Sequence, residues 1–344
     1  MTERAARPPR QPRNSPFTLA GVTVAPGRRR NVELPVAALP TDTSLSMSVA
    51  VLCGLRPGPT VWLSGAVHGD ELNGIEIIRQ LLRLLHPKEL AGTLLAVPIV
   101  NVFGFLNESR YLPDHRDLNR SFPGSARGSL TAQLANHFVT EIVLRSQYGI
   151  DFHTGSDHRV NVPQLRVDLL LPEVERMAKA FAAPVTVHAS YRDGSLRTYC
   201  STRGIPLLVY EGGEAHRFDA DAVRVGTDGT LRVLAELDMW HGDVPPPRGS
   251  TVLVEHSHWE RARRSGIVRI DVEPGQRVEQ GAVLGVIANA LGERPTPVRA
   301  STPGIVLGVS RHPMVAQGDA LVHIADTSES ARGGVARPPG TRRR

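Results

Sequence analysis

The sequence predicts an α/β fold with a mixed sheet, followed by a small all-β domain of barrel or sandwich type. Three observations carry this. Between residues 31 and 244, apolar runs bounded by turn residues alternate with amphipathic helical stretches, the signature of strands and helices layered on one sheet. At PPPRGS (245–250) the composition changes to that of a linker. Beyond it, SGIVRIDVEPGQRVEQGAVLGVI (265–287) and PGIVLGVSRHPMVAQGDALVHI (303–324) form an imperfect repeat with a shared G-I-V and V-x-x-G-x-x-L core, which reads as two halves of a small β-domain.

Each element follows in turn. Short apolar runs from Val32 to about Leu55 predict opening strands. TVWLSGAVH (60–68) is a buried strand. In ELNGIEIIRQLLRLLH, Ile75, Ile78, Leu82 and Leu85 recur at helical spacing, so a helix starts near Glu71 and ends before Pro87. TLLAVPIVNVFGF (93–105) reads as another strand, 129–146 as a helix, GIDFHTG (149–155) as a strand, PEVERMAKAFA (172–182) as a helix and IPLLVYEGG (205–213) as a strand. His68, His153 and Glu211 each fall at or past the C-terminal end of such a strand. In open α/β sheets those ends border the ligand crevice, so three groups from distant sequence converge there.

Bulk properties narrow the class. A chain of 344 residues has room for one large and one smaller domain. No stretch reaches the ~18 apolar residues that span a bilayer. The N-terminus has charge without an apolar segment, so a cytoplasmic protein with no membrane partner is expected. Cys53 and Cys200 are two lone thiols expected in the core. The net charge of +6 sits in the tails: residues 1–30 carry +6, 327–344 carry +4 and 31–326 carry −4. Both Arg-rich tails are expected to be disordered, and no specific nucleic-acid partner is predicted. The sequence leaves the oligomeric state open, a homo-oligomer included.

The chemistry lies in four motifs. GAVHGDELNG (65–74) sets His68 and Glu71 three apart, which suits two ligands of one metal ion. RYLPDHRDLNRSFPG (110–124) packs Arg110, Arg116 and Arg120 into a cationic cluster suited to carboxylates. DFHTG offers His153, and VYEGG ends a buried strand on Glu211, a costly place for an idle carboxylate. The segment 153–166, with His158, Arg159, Asn161, Gln164 and Arg166, and the group Arg192, Arg197 and Tyr199 read equally well as pocket walls or polar loops.

In this order, GxxHGDExNG, DLNRxFPG, DxHTG and EGG resemble the succinylglutamate desuccinylase/aspartoacylase family of the zinc carboxypeptidase clan, over roughly residues 45–325. The resemblance implies a carboxypeptidase-like α/β/α catalytic domain at 31–244 and an accessory β-domain at 250–326. It implies one Zn2+ per chain on His68, Glu71 and His153, with Glu211 as catalytic base and acid and Arg110 at the transition state. Asn119 and Arg120 would contact substrate, with Arg116 a further candidate, and Asp117 would orient a ligand imidazole. The expected activity is a zinc-dependent deacylase acting on a small anionic N-acylated substrate. The same parts would serve a zinc carboxypeptidase, whereas a non-catalytic binding protein would be expected to lack a ligand or the base. The β-domain also resembles biotinyl and lipoyl carriers, but residues 250–326 contain no Lys to attach a cofactor, which excludes that role.

Overall fold

A computed structural model of the chain describes residues 13–38, 41–189 and 192–327. They divide into two compact units between Val252 and Leu253. Among the described residues no helix is long and apolar enough to cross a membrane.

The first unit opens with a hairpin of β1 (Phe17–Leu19) and β2 (Val22–Val24), then β3 (Arg28–Ala38), β4 (Ser44–Cys53) and β5 (Arg56–Ser64). Helix α1 (Asn73–Leu84), β6 (Ala91–Val97), α2 (Val102–Leu106) and α3 (Leu130–Glu141) follow. Then come β7 (Tyr148–Gly155), β8 (Arg159–Val167), α4 (Pro172–Phe181), β9 (Val185–His188), α5 (Leu196–Thr202), β10 (Leu207–Glu214) and α6 (Ala220–Glu236). The sheet order is β8-β10-β7-β5-β6-β4-β3. Its centre, β10-β7-β5-β6, is parallel, while β3 and β4 run antiparallel to their neighbours and β8 is antiparallel to β10 and parallel to β9. The expected mixed sheet is what the chain forms.

Both faces of this sheet are covered, which is why its strands read as continuous apolar runs. Alternate residues serve opposite layers. Val61, Leu63, Leu208 and Tyr210 join the side chains of α1, α4 and α6, whereas Trp62, Leu207 and Val209 join those of α3 and α5.

Several expectations shift. The run 93–105 is not one strand: β6 stops at Val97, and Asn101 caps α2 by accepting from Gly104 N–H at 2.8 Å. Helix α1 starts at Asn73, so Glu71 lies before it rather than in its first turn. Its buried face centres on Ile77, Ile78 and Leu81. The disordered tail expected at 1–30 is corrected for residues 13–30, which are folded. Leu19 and Val24 pin the β1–β2 hairpin to the core beside Val32 and Met47. Moving Arg13, Arg28, Arg29 and Arg30 from tail to body brings the body's charge from −4 to 0. Residues 1–12 and 328–344 of the expected tails lie outside the described residues.

The second unit begins within β11 (Val252–Val254) and goes on through β12 (Ser257–Arg261), β13 (Gly266–Ile270), β14 (Arg277–Val278), β15 (Val283–Ala288), β16 (Thr296–Arg299), β17 (Gly304–Ser310), β18 (Met314–Val315) and β19 (Ala320–Asp326). The sequence repeat is a structural one. Each half opens on its G-I-V strand, and each lends its short second strand to the other half: β14 pairs with β17 and β18 with β13.

Candidate active site

Three strand ends of the central parallel sheet supply the site. After β5 stops at Ser64, the loop to α1 is pressed against α2, because a Cβ on Gly69 would lie 1.9 Å from the Gly104 carbonyl carbon. Only glycine fits there. The loop closes a turn through Glu71 N–H to His68 O at 3.1 Å, which sets the two side chains on one side. His153 lies within β7, and Glu211 is its ladder partner on β10. The Gly212–Gly213 bulge beyond Glu211 is held by Asn73, which donates to Gly212 O at 2.9 Å and accepts from Asp219 N–H at 2.9 Å.

Glu71 is the centre. Its Oε1 lies 2.8 Å from His68 Nδ1 and its Oε2 lies 2.7 Å from His153 Nδ1, with Thr154 N–H donating to Oε2 at 3.1 Å. All three residues are buried. The outer nitrogens are backed by carboxylates: His68 Nε2 by Asp117 at 3.1 Å, His153 Nε2 by Asp151 at 2.9 Å. Ser64 in turn donates to Asp151 at 2.7 Å. Both rings turn Nδ1 toward Glu71 and Nε2 toward an outer carboxylate, the carboxylate–histidine arrangement of metal sites.

The electrostatics fit a cation. Burial disfavours charge on each imidazole, yet for His68 Glu71 and Asp117 outweigh it, and for His153 Asp151 and Glu71 do, so both pKa values rise. Burial raises Glu71, but His68 and His153 pull it far below the usual range. Protons shared between imidazole and carboxylate thus stand where a metal ion would. The donor atoms of His68, Glu71 and His153 lie within 4.8 Å of one another. Two imidazoles and a carboxylate are a donor set that zinc takes in catalytic sites, with a position left for water. Neighbouring Asp70 is buried with Oδ1 unpartnered, and first burial, then Glu71, hold its pKa above the usual range.

Arg110 is drawn in from the 110–124 loop. Asp117 Oδ2 accepts from its Nε at 3.2 Å and its Nη2 at 2.9 Å, while its Nη1 reaches Ser156 Oγ at 3.0 Å and Glu71 Oε1 at 3.3 Å. Asn119 Oδ1 accepts from Leu196 N–H at 3.0 Å, so what it offers a ligand is its NH2. Arg120 is exposed, its Nη1 on the Asn119 carbonyl at 2.5 Å. Arg116 is exposed with its backbone N–H on Asp114 at 3.4 Å and takes no part in this network.

Glu211 is oriented from β8, the segment that read equally as loop or pocket. Asn161 Nδ2 donates to its Oε2 at 2.9 Å and Arg166 Nε lies 3.3 Å from its Oε1. Tyr199 is instead a buried core residue of α5 beneath Arg203. Asp151 carried no assigned role in the sequence, although DxH spacing on a strand puts both side chains on one face. Asn73 had no local signal, since its partners are far downstream.

The succinylglutamate desuccinylase/aspartoacylase catalytic domain matches residues 57–237, more than half of the chain. The chain belongs to this family. As a family member it is 26% identical, over 94% of its own length and 99% of the relative's, to the N-alpha-acetyl-L-2,4-diaminobutyric acid deacetylase of Halomonas elongata. Its fold is similar to the product-bound ectoine utilization protein of Ruegeria pomeroyi, with a TM-score of 0.79, 24% identity, and 93% and 100% of the two chains covered. It is also similar to a succinylglutamate desuccinylase/aspartoacylase of Rhodobacter sphaeroides, with a TM-score of 0.77, 27% identity, and coverage of 86% and 95%.

Proposed function

We propose that the protein is a zinc-dependent deacylase that hydrolyses the amide bond of a small N-acyl amino acid or related N-acyl amine. The observation that carries this is the convergence of both Nδ1 atoms on Glu71, each ring backed by its own carboxylate, with Glu211 one ladder position away. The deacetylase named for the Halomonas relative supports the same class of bond.

Held by His68, Glu71 and His153, zinc would supply Lewis acidity and a readily ionised water. The chain's own groups do the rest. Glu211, fixed by Asn161 and Arg166, takes a proton from the attacking water and returns it to the leaving amine. Arg110 is anchored on Asp117 through Nε and Nη2, and Nη1 is the arm directed at developing negative charge on the carbonyl oxygen. Asn119 and Arg120 bind substrate from the adjoining turn. The products are a carboxylate and a free amine.

Mass spectrometry of N-acyl amino acids, N-acyl diamines and short peptides, incubated with zinc-loaded protein, tests this. Wild type should release free amine from acylated compounds. Glu211→Gln should lose about 10²–10⁴ in kcat, the usual contribution of general acid–base catalysis, while keeping its zinc. Loss of C-terminal residues from the peptides instead would make the enzyme a carboxypeptidase.

A further inference from the structure

A cavity of about 180 Å³ lies against α6, and none of its lining residues belongs to the metal set, the Arg110 network or the groups around Glu211. Helix α6 gives it one face, on which Asp221, Arg224, Val225, Asp228 and Arg232 recur at spacings of three and four. Ala182 and Pro184, at the end of α4, form a second wall, and Arg248, Gly249 and Ser250 of the linker form a third. The linker is pinned on both sides of these residues. Arg232 Nη1 donates to Pro245 O at 3.2 Å, and Val252 N–H donates to Pro184 O at 2.9 Å. Arg232 also grips the end of α4, its Nε donating to Phe181 O at 3.2 Å and its Nη2 at 2.5 Å. The walls are thus held before a ligand arrives, which lowers the ordering cost of binding.

The lining combines an apolar floor with both signs of charge. Ala182, Pro184 and Val225 are the apolar part. Arg224 pairs with Asp221 through Nη2, while its Nη1 is buried with no hydrogen-bond partner among the described residues. Such a group calls for a partner. Every nitrogen of Arg232 is spent on a carbonyl oxygen, so Asp228 meets that guanidinium through charge alone. Arg248 is exposed on the linker. A simple anion in this cavity is opposed by Asp221 and Asp228, and a simple cation by three guanidiniums. A ligand that carries both charges on a short apolar body finds a complement at each wall. The volume is close to the ~150 Å³ that admits benzene, which limits the ligand to roughly six to nine non-hydrogen atoms.

We infer that this cavity binds a free α-amino acid with a short aliphatic side chain, its carboxylate on Arg224 and Arg248 and its ammonium on Asp228. The inference goes beyond the deacylase reading and stands without it.

Calorimetry on the zinc-loaded full chain tests it with four probes. L-Valine carries both charges, 3-methylbutanoate lacks the amine, 2-methylpropan-1-amine lacks the carboxylate, and L-tryptophan is too large. Valine should bind, and the other three should each bind at least ~10-fold more weakly. Asp228→Asn should weaken valine ~10-fold and close its lead over 3-methylbutanoate. Arg248→Gln, a change to an exposed side chain that leaves folding intact, should instead close its lead over the amine. Glu211→Gln should bind valine as wild type does, because Glu211 does not line the cavity. Absence of valine binding, or equal binding of valine and either single-charge probe, overturns the inference. So does loss of valine binding in Glu211→Gln with both cavity variants unaffected, which would place valine in the catalytic cleft instead.

Discussion

Asp151 shows how much of the proposed metal site is built behind its candidate ligands. It is buried, accepts from Ser64, and holds the His153 ring with Nδ1 toward Glu71. Asp151→Asn keeps the shape and removes the charge, and should weaken zinc binding by about 10–100-fold, the usual effect of losing such a partner. Competition with a fluorescent chelator measures this, and unchanged affinity would sink the assignment. The candidate site residues themselves were legible because HxxE, DxH and a carboxylate closing an apolar strand are chemically conspicuous. Asn73 was not, because an asparagine after a turn looks like any other until the fold brings Gly212 and Asp219 to it.

Among the elements, α1 and β7 approach so closely that a Cβ on Gly74 would lie 2.7 Å from the Phe152 Cβ. This contact sets the distance between the loop bearing Glu71 and the strand bearing His153. Gly74→Ala gains helix propensity but overpacks the interface, and should destabilise by about 1–2 kcal/mol. Urea unfolding checks the sign, and a stabilised variant would show that the layers can part freely. In the β-domain, Glu260 accepts from Ser301 N–H and Oγ, both at 2.6 Å, beside His258. Burial opposes its charge, but the Ser301 hydrogen bonds prevail and its pKa falls. A lowered folded pKa gives stability that is complete above the unfolded value of ~4.3 and lost as pH drops through the folded one. Wild type should therefore outlast Glu260→Gln at pH 6, with the gap closing toward pH 3, as read by urea midpoints. A constant gap would contradict this origin. Strand and helix types were mostly readable from period. Among the elements read, the exception is α2, set by the Asn101 cap within an apolar run read as strand, while β8, β9, α5 and α6 were not read from the sequence.

For the whole molecule, composition misled where apolar anchors are few. Residues 13–30 look like an Arg- and Pro-rich tail, yet Leu19 and Val24 suffice to dock the first hairpin. The arginines of β3 stay at the surface, Arg29 donating to Leu82 O at 2.9 Å. On the zinc reading proposed above, stability of the first unit should also depend on the ion. A ligand present at 1,000 times its Kd adds about 4 kcal/mol. Chelation at pH 7 should then lower Tm by about 8 °C or more at ~2–4 °C per kcal/mol, less whatever the protons shared by His68, His153 and Glu71 give back. Calorimetry with and without chelator measures the shift; no shift would mean that no ion is held.

The Asn73 clasp also has a kinetic meaning. It joins groups 139 residues apart in the chain, and contacts of such long range form late because loop closure precedes them. A nascent chain can present His68 and Glu71 long before β10 has entered the sheet. A metal captured at that stage would meet candidate ligands without Glu211, the proposed base, so the site becomes complete only in the last steps of folding.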